Sequence, residues 1–140
     1  MKYKFVNPAA TASLIVPYQG GILLVKRKHH PFKGYWALPG GFLNGSKENL
    51  EEAAVRELEE ETSLVAKIKD VILFSVQSEP KRDPREHVID HVYVVLKYSG
   101  ELCAKDDAAE VKSFKKIPKK MAFDHRKVLR EYLLDKERTK

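Results

Sequence analysis

The sequence predicts an α/β fold, an α/β/α sandwich with a mixed β-sheet between helices. Three observations lead there. Short β-prone runs separated by turn residues fill much of the chain. Two stretches, after Ser46 and after Phe123, instead carry apolar residues at helical spacing. The 140 residues are 43% hydrophobic and 33% charged, a size and composition that suit one domain with a real core. A single domain over residues 1–140 is expected, because no repeat or low-complexity linker interrupts it.

Each element follows from local chemistry. Ala12–Tyr18 and Ile22–Lys28 read as two β runs joined by the turn Gln19-Gly20-Gly21. His29–Tyr35 is a loop punctuated by Pro31 and Gly34. Trp36–Leu43 is extended and interrupted by Pro39-Gly40-Gly41. Ser46 is the expected N-cap of a helix that runs to about Thr62. Val65–Val76 reads as a strand, with Ala66, Ile68 and Ile72 assigned to one face. Gln77–Glu86 is a polar loop and His87–Tyr98 a Val-rich β run. Glu101–Ala109 is a loop and Val111–Ile117 a short strand. Phe123–Asp135 closes the chain as a helix, with Asp124 at or near its cap and Val128, Leu129, Tyr132 and Leu133 at helical spacing.

Net charge is +6, from 26 basic and 20 acidic side chains. The cations collect at 26–28, 33, 81–85, 112–120 and 136–140, which favours anionic ligands. For the C-terminal run, solvated surface charge is the plainer reading. Aromatic residues are not interleaved with the cations, so nucleic acid is not the expected partner. The longest apolar runs, such as 92–96, are too short to cross a bilayer, so no membrane partner is expected either. Met1-Lys2-Tyr3-Lys4 leads into a strand-like segment without a signal-peptide core, and a cytoplasmic location is expected. The one cysteine, Cys103, has no internal disulfide partner and reads as a small buried apolar side chain.

The helix after Gly40-Gly41 carries an unusual set of carboxylates. At 100° per residue, Leu50, Ala54 and Leu58 fall within an arc of about 80°. Glu57 and Glu61 lie on or beside that arc and Glu60 at its edge, whereas Glu51, Glu52, Arg56 and Glu59 point elsewhere. Two like charges about 4 Å apart repel by roughly 4 kcal/mol at an effective dielectric of 20. Such a cluster either raises a carboxyl pKa or binds cations, and hard divalent ions with oxygen ligands suit it. At Gly40 and Gly41, the missing Cβ lets backbone approach an ion or a phosphate.

These residues resemble a known pattern. Gly41, Glu48, Arg56-Glu57-Leu58, Glu60-Glu61 and Leu64 look like the Nudix box of the Nudix hydrolases, and the likeness extends over most of the chain. Two positions depart from it. Six residues rather than five separate Gly41 from Glu48, and Ser63 stands where the family has Gly. The extra residue precedes the helix, so the carboxylate spacing survives. Ser63 falls at the helix C-terminus, where a left-handed cap favours Gly.

The resemblance implies a Nudix-type sandwich and hydrolysis of a nucleoside diphosphate linked to another moiety, with Mg²⁺ or Mn²⁺. It implies Glu57, Glu60 and Glu61 as metal ligands, with the Gly41 carbonyl as a further one. Arg56 would orient this set and Glu48 would pair with Arg56. The chemistry agrees: bound metal offsets charge on diphosphate oxygens and lowers the pKa of the attacking water. Glu60, Glu61 and Glu110, the last in "DDAAEVKSF", are the candidate general bases.

Three further stretches resemble the ADP-ribose pyrophosphatase branch: "HPFKGYWALPGGF", "DPREH" and "AFDHRKVL". Pro80, 16 residues beyond Leu64, fits a spacing associated with it. Together they imply ADP-ribose split to AMP and ribose 5-phosphate, in a branch whose members are often homodimers. Gly40 and one or more of Arg27, Arg82 and Arg85 are the candidate substrate contacts, Arg by bidentate hydrogen bonds. For Arg82, exposed surface charge is the plainer reading. Trp36 is either a stacking platform or core. His87, His91 and His125 read as structural hydrogen-bonding residues, since their spacing suits no histidine metal site. Rival substrates are other dinucleotides and oxidised nucleoside triphosphates. A rival of another class is a non-catalytic nucleotide-sensing domain. The kept carboxylates, and the few residues expected after the closing helix, argue against that rival.

Overall fold

The computed structural model describes residues 5–104 and 108–138. Met1 to Lys4, the Lys105–Asp107 part of the expected loop, and the end of the C-terminal basic run lie outside the described residues. The chain forms β1 (Ala9–Ile15), β2 (Pro17–Tyr18), β3 (Gly21–Arg27), β4 (Trp36–Ala37), β5 (Gly40–Phe42), α1 (Leu50–Thr62), a 3₁₀ turn (Ile68–Asp70), β6 (Val71–Gln77), β7 (Val88–Val95), β8 (Ala108–Phe114) and α2 (His125–Arg138). No helix among the described residues is long and apolar enough to cross a membrane.

The strands form two sheets where one was expected. The first is mixed, in the order β5-β1-β7-β6, with β1 and β7 parallel and the other pairs antiparallel. In the second, β3 pairs antiparallel with β2, β4 and β8. Alternation along β1 and β7 sorts the core onto two faces. Ala12, Leu14, Tyr93 and Val95 pack with Ala53, Ala54 and Leu58 of α1. Ile15 and Val92 pack with Val128, Leu129 and Tyr132 of α2. The helices therefore clamp the mixed sheet from opposite sides. Truncating the fully buried Leu58 to Ala is worth about 2–5 kcal/mol of stability.

Several boundaries move, each for a local reason. Helix α1 is capped by Asn49, not Ser46. The Asn49 side chain accepts the Glu52 N–H at 2.8 Å, and the Glu52 carboxylate accepts the Asn49 N–H at 3.0 Å. This reciprocal box satisfies two otherwise orphaned donors, which a lone Ser46 does not. The strand expected from Val65 begins only at Val71. Ala66 is buried but Ile68 and Ile72 are exposed, so no continuous apolar face spans the segment, and Ile68–Asp70 close into a 3₁₀ turn. Gly40 and Gly41 do not interrupt an extended segment; they pair with Ser13 and Ala12 as strand β5. Strand β8 starts at Ala108, earlier than expected, because the β3 ladder continues to Arg27. Phe123 precedes α2 with φ +52°, outside the helical region.

Ser63 takes the left-handed cap of α1 at φ 69° and ψ 0°. Its N–H reaches the Glu59 carbonyl at 2.9 Å and its hydroxyl the Cys103 carbonyl at 3.1 Å. A serine therefore closes the helix where glycine usually does. Cys103 itself is exposed rather than buried, because this segment meets the helix end through backbone groups.

Candidate active site

Helix α1 presents Glu57 and Glu61 toward strand β5, and the sequence reason is the apolar stripe that seats it on β1. Arg56 organises the carboxylates. Its Nη2 donates to Glu48 at 2.6 Å, and its Nη1 donates to Glu57 at 2.9 Å and Glu60 at 3.0 Å. Its Nη2 also reaches the Phe42 carbonyl at 3.1 Å. Glu48 survives the extra residue before it because its carboxylate also accepts the Asn44 N–H at 2.8 Å, folding the added loop back on the helix. The Arg56 hydrogen bond, against a smaller opposing effect of burial, holds the Glu48 pKa below its usual value.

Glu57 and Glu60 differ. The Glu57 side chain is 12% exposed and that of Glu60 44%. Burial pushes the Glu57 carboxyl above its usual pKa even though Arg56 opposes the shift. Glu61 is buried and accepts the Gly40 N–H at 3.2 Å. The two glycines make this approach possible. A Cβ at Gly41 would strike the Glu57 carboxylate, and one at Gly40 would strike the β1 backbone at Ala12 and Ser13. Gly40 thus seats β5 on β1, and Gly41 leaves room beside a desolvated carboxylate.

That arrangement suits a hard divalent cation. All the donors are oxygens, one of them disfavoured as a bare anion, and the space a Cβ would fill adjoins it. Among the described residues no three carboxylates or imidazoles converge at metal-ligand spacing. Arg56 Nη1, lying between Glu57 and Glu60, takes the place of positive charge there.

A cleft of about 450 Å³ opens from Gly40, Gly41, Glu57 and Glu61. Its other lining includes Arg27, Lys28, Arg82, Arg85 and Phe123. Three guanidiniums surround the Phe123 ring, Arg27 at 5.0 Å, Arg85 at 5.6 Å and Arg82 at 5.9 Å from its centroid. Arg85 also lies 4.9 Å from the Phe42 centroid and is held by Asp83 at 2.7 Å. Arg27 donates from Nε to the Pro31 carbonyl at 2.7 Å. The cleft therefore carries carboxylates and guanidiniums together, with Asp83 and Asp90 beside the arginines.

Glu57, Glu60, Glu61, Arg56, Gly40 and Gly41 come together as expected, and Arg27 and Arg85 line the same cleft. Glu110 does not join them. It lies within β8, exposed, opposite Lys26, while Val25 next along the ladder partner lines the cleft. Arg82 is not a surface charge: its side chain is 4% exposed and bidentate to Asp124, with Nε at 2.9 Å and Nη2 at 2.8 Å. Asp124 is committed to that pair. Trp36 packs edge-on against Phe114 in the core and not in the cleft. Each of the three histidines singled out takes a backbone hydrogen bond: His87 from or to Ser78, His91 with Thr11, and His125 from Leu38.

The sequence reading missed Asp90, which lines the cleft floor and is almost wholly buried. Its Oδ1 accepts Thr11 at 2.9 Å and Ser13 at 2.8 Å. Burial alone would raise its pKa, but His125, Arg82 and Ser13 together hold it low. A signal was present: a carboxylate inside the Val-rich run "HVIDHVYVV" must find partners when buried.

Comparison with known proteins adds a family. Residues 7–132 match the model of the NUDIX domain. An ADP-ribose pyrophosphatase of Methanocaldococcus jannaschii is 47% identical over 135 residues, covering 94% of this chain and 78% of that protein. Among solved structures, a bifunctional NMN adenylyltransferase/ADP ribose pyrophosphatase of Francisella tularensis, complexed with AMP and Mn ion, superposes with a TM-score of 0.82 at 31% identity. The match covers 95% of this chain but 43% of that longer one. The NUDIX domain of Shewanella oneidensis NrtR, complexed with ADP ribose, gives 0.78 at 26% identity, covering 97% of this chain and 91% of that one.

Proposed function

The chain belongs to the Nudix family, and on that footing we propose that it hydrolyses ADP-ribose to AMP and ribose 5-phosphate with a divalent cation, Mg²⁺ or Mn²⁺. The observation that carries the proposal is the meeting of carboxylates and guanidiniums in one cleft. The buried carboxylates Glu57 and Glu61 beside Gly41 and the guanidiniums of Arg27 and Arg85 line one and the same cleft. A diphosphate, with its several anionic oxygens, suits such a cleft. The 47% identity to an ADP-ribose pyrophosphatase supports the choice of substrate.

In this proposal Glu57, Glu60, Glu61 and the Gly41 carbonyl would hold the cation, which when bound would supply charge neutralisation and an acidified water. Arg56 keeps the carboxylates in register. Glu60 and Glu61 remain the candidates to take a proton from that water. Arg27 and Arg85 hold the anionic ligand and orient it, while Phe42 and Phe123 back the guanidiniums. Glu110, outside the cleft, receives no role.

The test is a substrate panel of ADP-ribose, NADH, dinucleoside polyphosphates and nucleoside triphosphates, compared by kcat/KM after chelation and after return of Mg²⁺ or Mn²⁺. ADP-ribose is expected to lead, with AMP and ribose 5-phosphate as products, and chelated protein is expected to be inactive. A nucleoside triphosphate in the lead would move the chain to another branch. Tight ADP-ribose binding without turnover would make it a sensing domain.

We also propose that two copies pair along β6 and that the protein is cytoplasmic. Strand β6 ends the mixed sheet, and its Ile72, Leu73 and Val76 are exposed. An apolar free edge is a template for a second chain. Light scattering that gives a monomer mass would remove the pairing. The exposed, unpaired Cys103 supports a reducing compartment.

A further inference from the structure

His125 sits at the first residue of α2, yet its ring is buried beside the cleft floor. Its Nδ1 accepts the Leu38 N–H at 3.0 Å. An N–H donor there fixes the tautomer, because Nδ1 must offer a lone pair and the ring proton of a neutral imidazole then sits on Nε2. Nε2 faces Asp90 Oδ2 at 3.6 Å. That oxygen has no hydrogen-bond partner of its own among the described residues, although Arg82 Nη2 also lies 3.6 Å away. Asp90 is in turn pinned to β1 through Thr11 and Ser13.

The other side of the ring leads to the metal ligands. Leu38 follows β4, and the next carbonyl, that of Pro39, accepts the Leu14 N–H at 2.9 Å. Gly40 then donates to Glu61, and Gly41 abuts Glu57. Leu38 is not itself part of a strand, so between β4 and β5 the backbone N–H has no ladder partner and depends on the imidazole.

We propose that His125 is a positioning residue for the proposed hydrolysis: by accepting the Leu38 N–H it sets the height of the 38–41 segment and so the approach of Gly40 and Gly41 to Glu61 and Glu57. This rests on the proposed metal-dependent activity, but the placement can be read without turnover. It differs from a merely structural role because the two ring nitrogens do different work. The Nδ1 lone pair governs the glycine segment, whereas the Nε2 proton only meets Asp90.

Two variants separate them. In His125→Asn the amide oxygen occupies the place of Nδ1 and keeps an acceptor for Leu38. In His125→Gln the longer side chain reaches the Nε2 region and leaves the Leu38 N–H unpaired. Mn²⁺ affinity, measured by titration without substrate, is expected to weaken about 10-fold to 100-fold in His125→Gln, the usual range for groups that orient metal ligands. The kcat is expected to fall with it while KM changes less, and His125→Asn is expected to stay close to the native protein in both. Equal effects in the two variants, or unchanged Mn²⁺ affinity in His125→Gln, would overturn the proposal. Should both variants fail to fold, ring ¹⁵N spectra of the native protein decide: the Nε2–H tautomer supports the proposal and the Nδ1–H tautomer ends it. A native protein that binds Mn²⁺ but leaves ADP-ribose intact would sink the proposed activity alone.

Discussion

The Arg56 guanidinium lies along the Glu48 carboxylate, with Nη2 2.6 Å from Oε1 and Nε 2.9 Å from Oε2. The pair leaves Nη1 free to face Glu57 and Glu60. Glu48 thus aims Arg56, and Arg56 spaces the proposed metal ligands. Lysine has a single point of charge and cannot span both sets. Arg56→Lys is expected to lower kcat and Mn²⁺ affinity by about 10-fold to 100-fold. Glu48→Gln, which keeps one acceptor, is expected to fall between that variant and the native protein. Turnover and metal titration on the same preparations check the order, and an unaffected Arg56→Lys enzyme would break this link.

Glu57 has a sign that stability measurements can read. Burial raises its pKa above 4.5 in the folded chain. A raised folded pKa gives stability that is fully present below the unfolded value and is lost as pH rises through the folded one. From this group, metal-free protein is therefore expected to lose stability as pH rises above about 4.5. Glu57→Gln removes that loss. Without metal at neutral pH the variant is expected to melt at or above the native protein, while its kcat falls by orders of magnitude. Mn²⁺ is expected to raise the native Tm, since a ligand that binds only the folded state stabilises it, and to raise the variant's less. A variant that melts well below the native chain without metal would show that Glu57 is held by its pair with Arg56 rather than strained by burial.

The Gly41 contact gives a third test. A Cβ there meets the far end of a flexible side chain rather than backbone, so Glu57 can swing aside. Gly41→Ala is expected to fold with a nearly native Tm yet bind Mn²⁺ at least several-fold more weakly. At Gly40 the obstacle is the β1 backbone, so Gly40→Ala is expected to lose stability instead. Melting curves beside metal titrations separate the two, and identical behaviour would mean that neither contact acts as described.

How much of this was legible in the sequence depended on the range of the interaction. The turn of α1 and its carboxylate spacing are local, so the crowding of Glu57, Glu60 and Glu61 could be read from periodicity, whereas the place of Arg56 among them was implied by the family resemblance alone. The helix start could not be settled as easily, because Ser46 and Asn49 are both good caps and only Glu52 three residues beyond Asn49 completes the box. Arg82 and Asp124 are 42 residues apart, and nothing local tells a buried bidentate pair from two surface charges. Asp90 was readable in principle from its apolar neighbours. Its partners on β1 and α2 were not, since they depend on the parallel register of β1 with β7. Glu110 shows the reverse case: its sequence context looked right, and the register of β8 on β3 placed it elsewhere.

Arg85 is the last test and concerns the ligand rather than the metal. Its Nη2 and Nε are both bound to Asp83, at 2.7 and 3.0 Å, and its flat face rests on Phe42. Asp83 is buried and is held in its charged form: burial opposes this, but the Arg85 side chain and backbone N–H outweigh it. The guanidinium is thereby oriented before any ligand arrives, while its side chain stays 35% exposed in the cleft. A preoriented cation that holds the ligand contacts substrate and transition state alike, so its loss appears in KM. A hydrogen bond to a charged group is worth about 1.5–3 kcal/mol, and 1.4 kcal/mol is about tenfold in affinity. Partial exposure places Arg85 at the lower end, so Arg85→Ala is expected to raise KM for ADP-ribose roughly 10-fold with kcat nearly kept. Asp83→Asn, which loosens the orientation but keeps the cation, is expected to raise KM less. Arg85→Ala also leaves the buried Asp83 carboxylate with only a backbone N–H as partner among the described residues, so its Tm is expected to fall, and that of Asp83→Asn, which removes the buried charge, to fall less; KM is therefore read well below both melting points. An Arg85→Ala enzyme with native KM, or one whose loss falls on kcat, would remove Arg85 from ligand binding and leave Arg27 as the cation that meets the diphosphate.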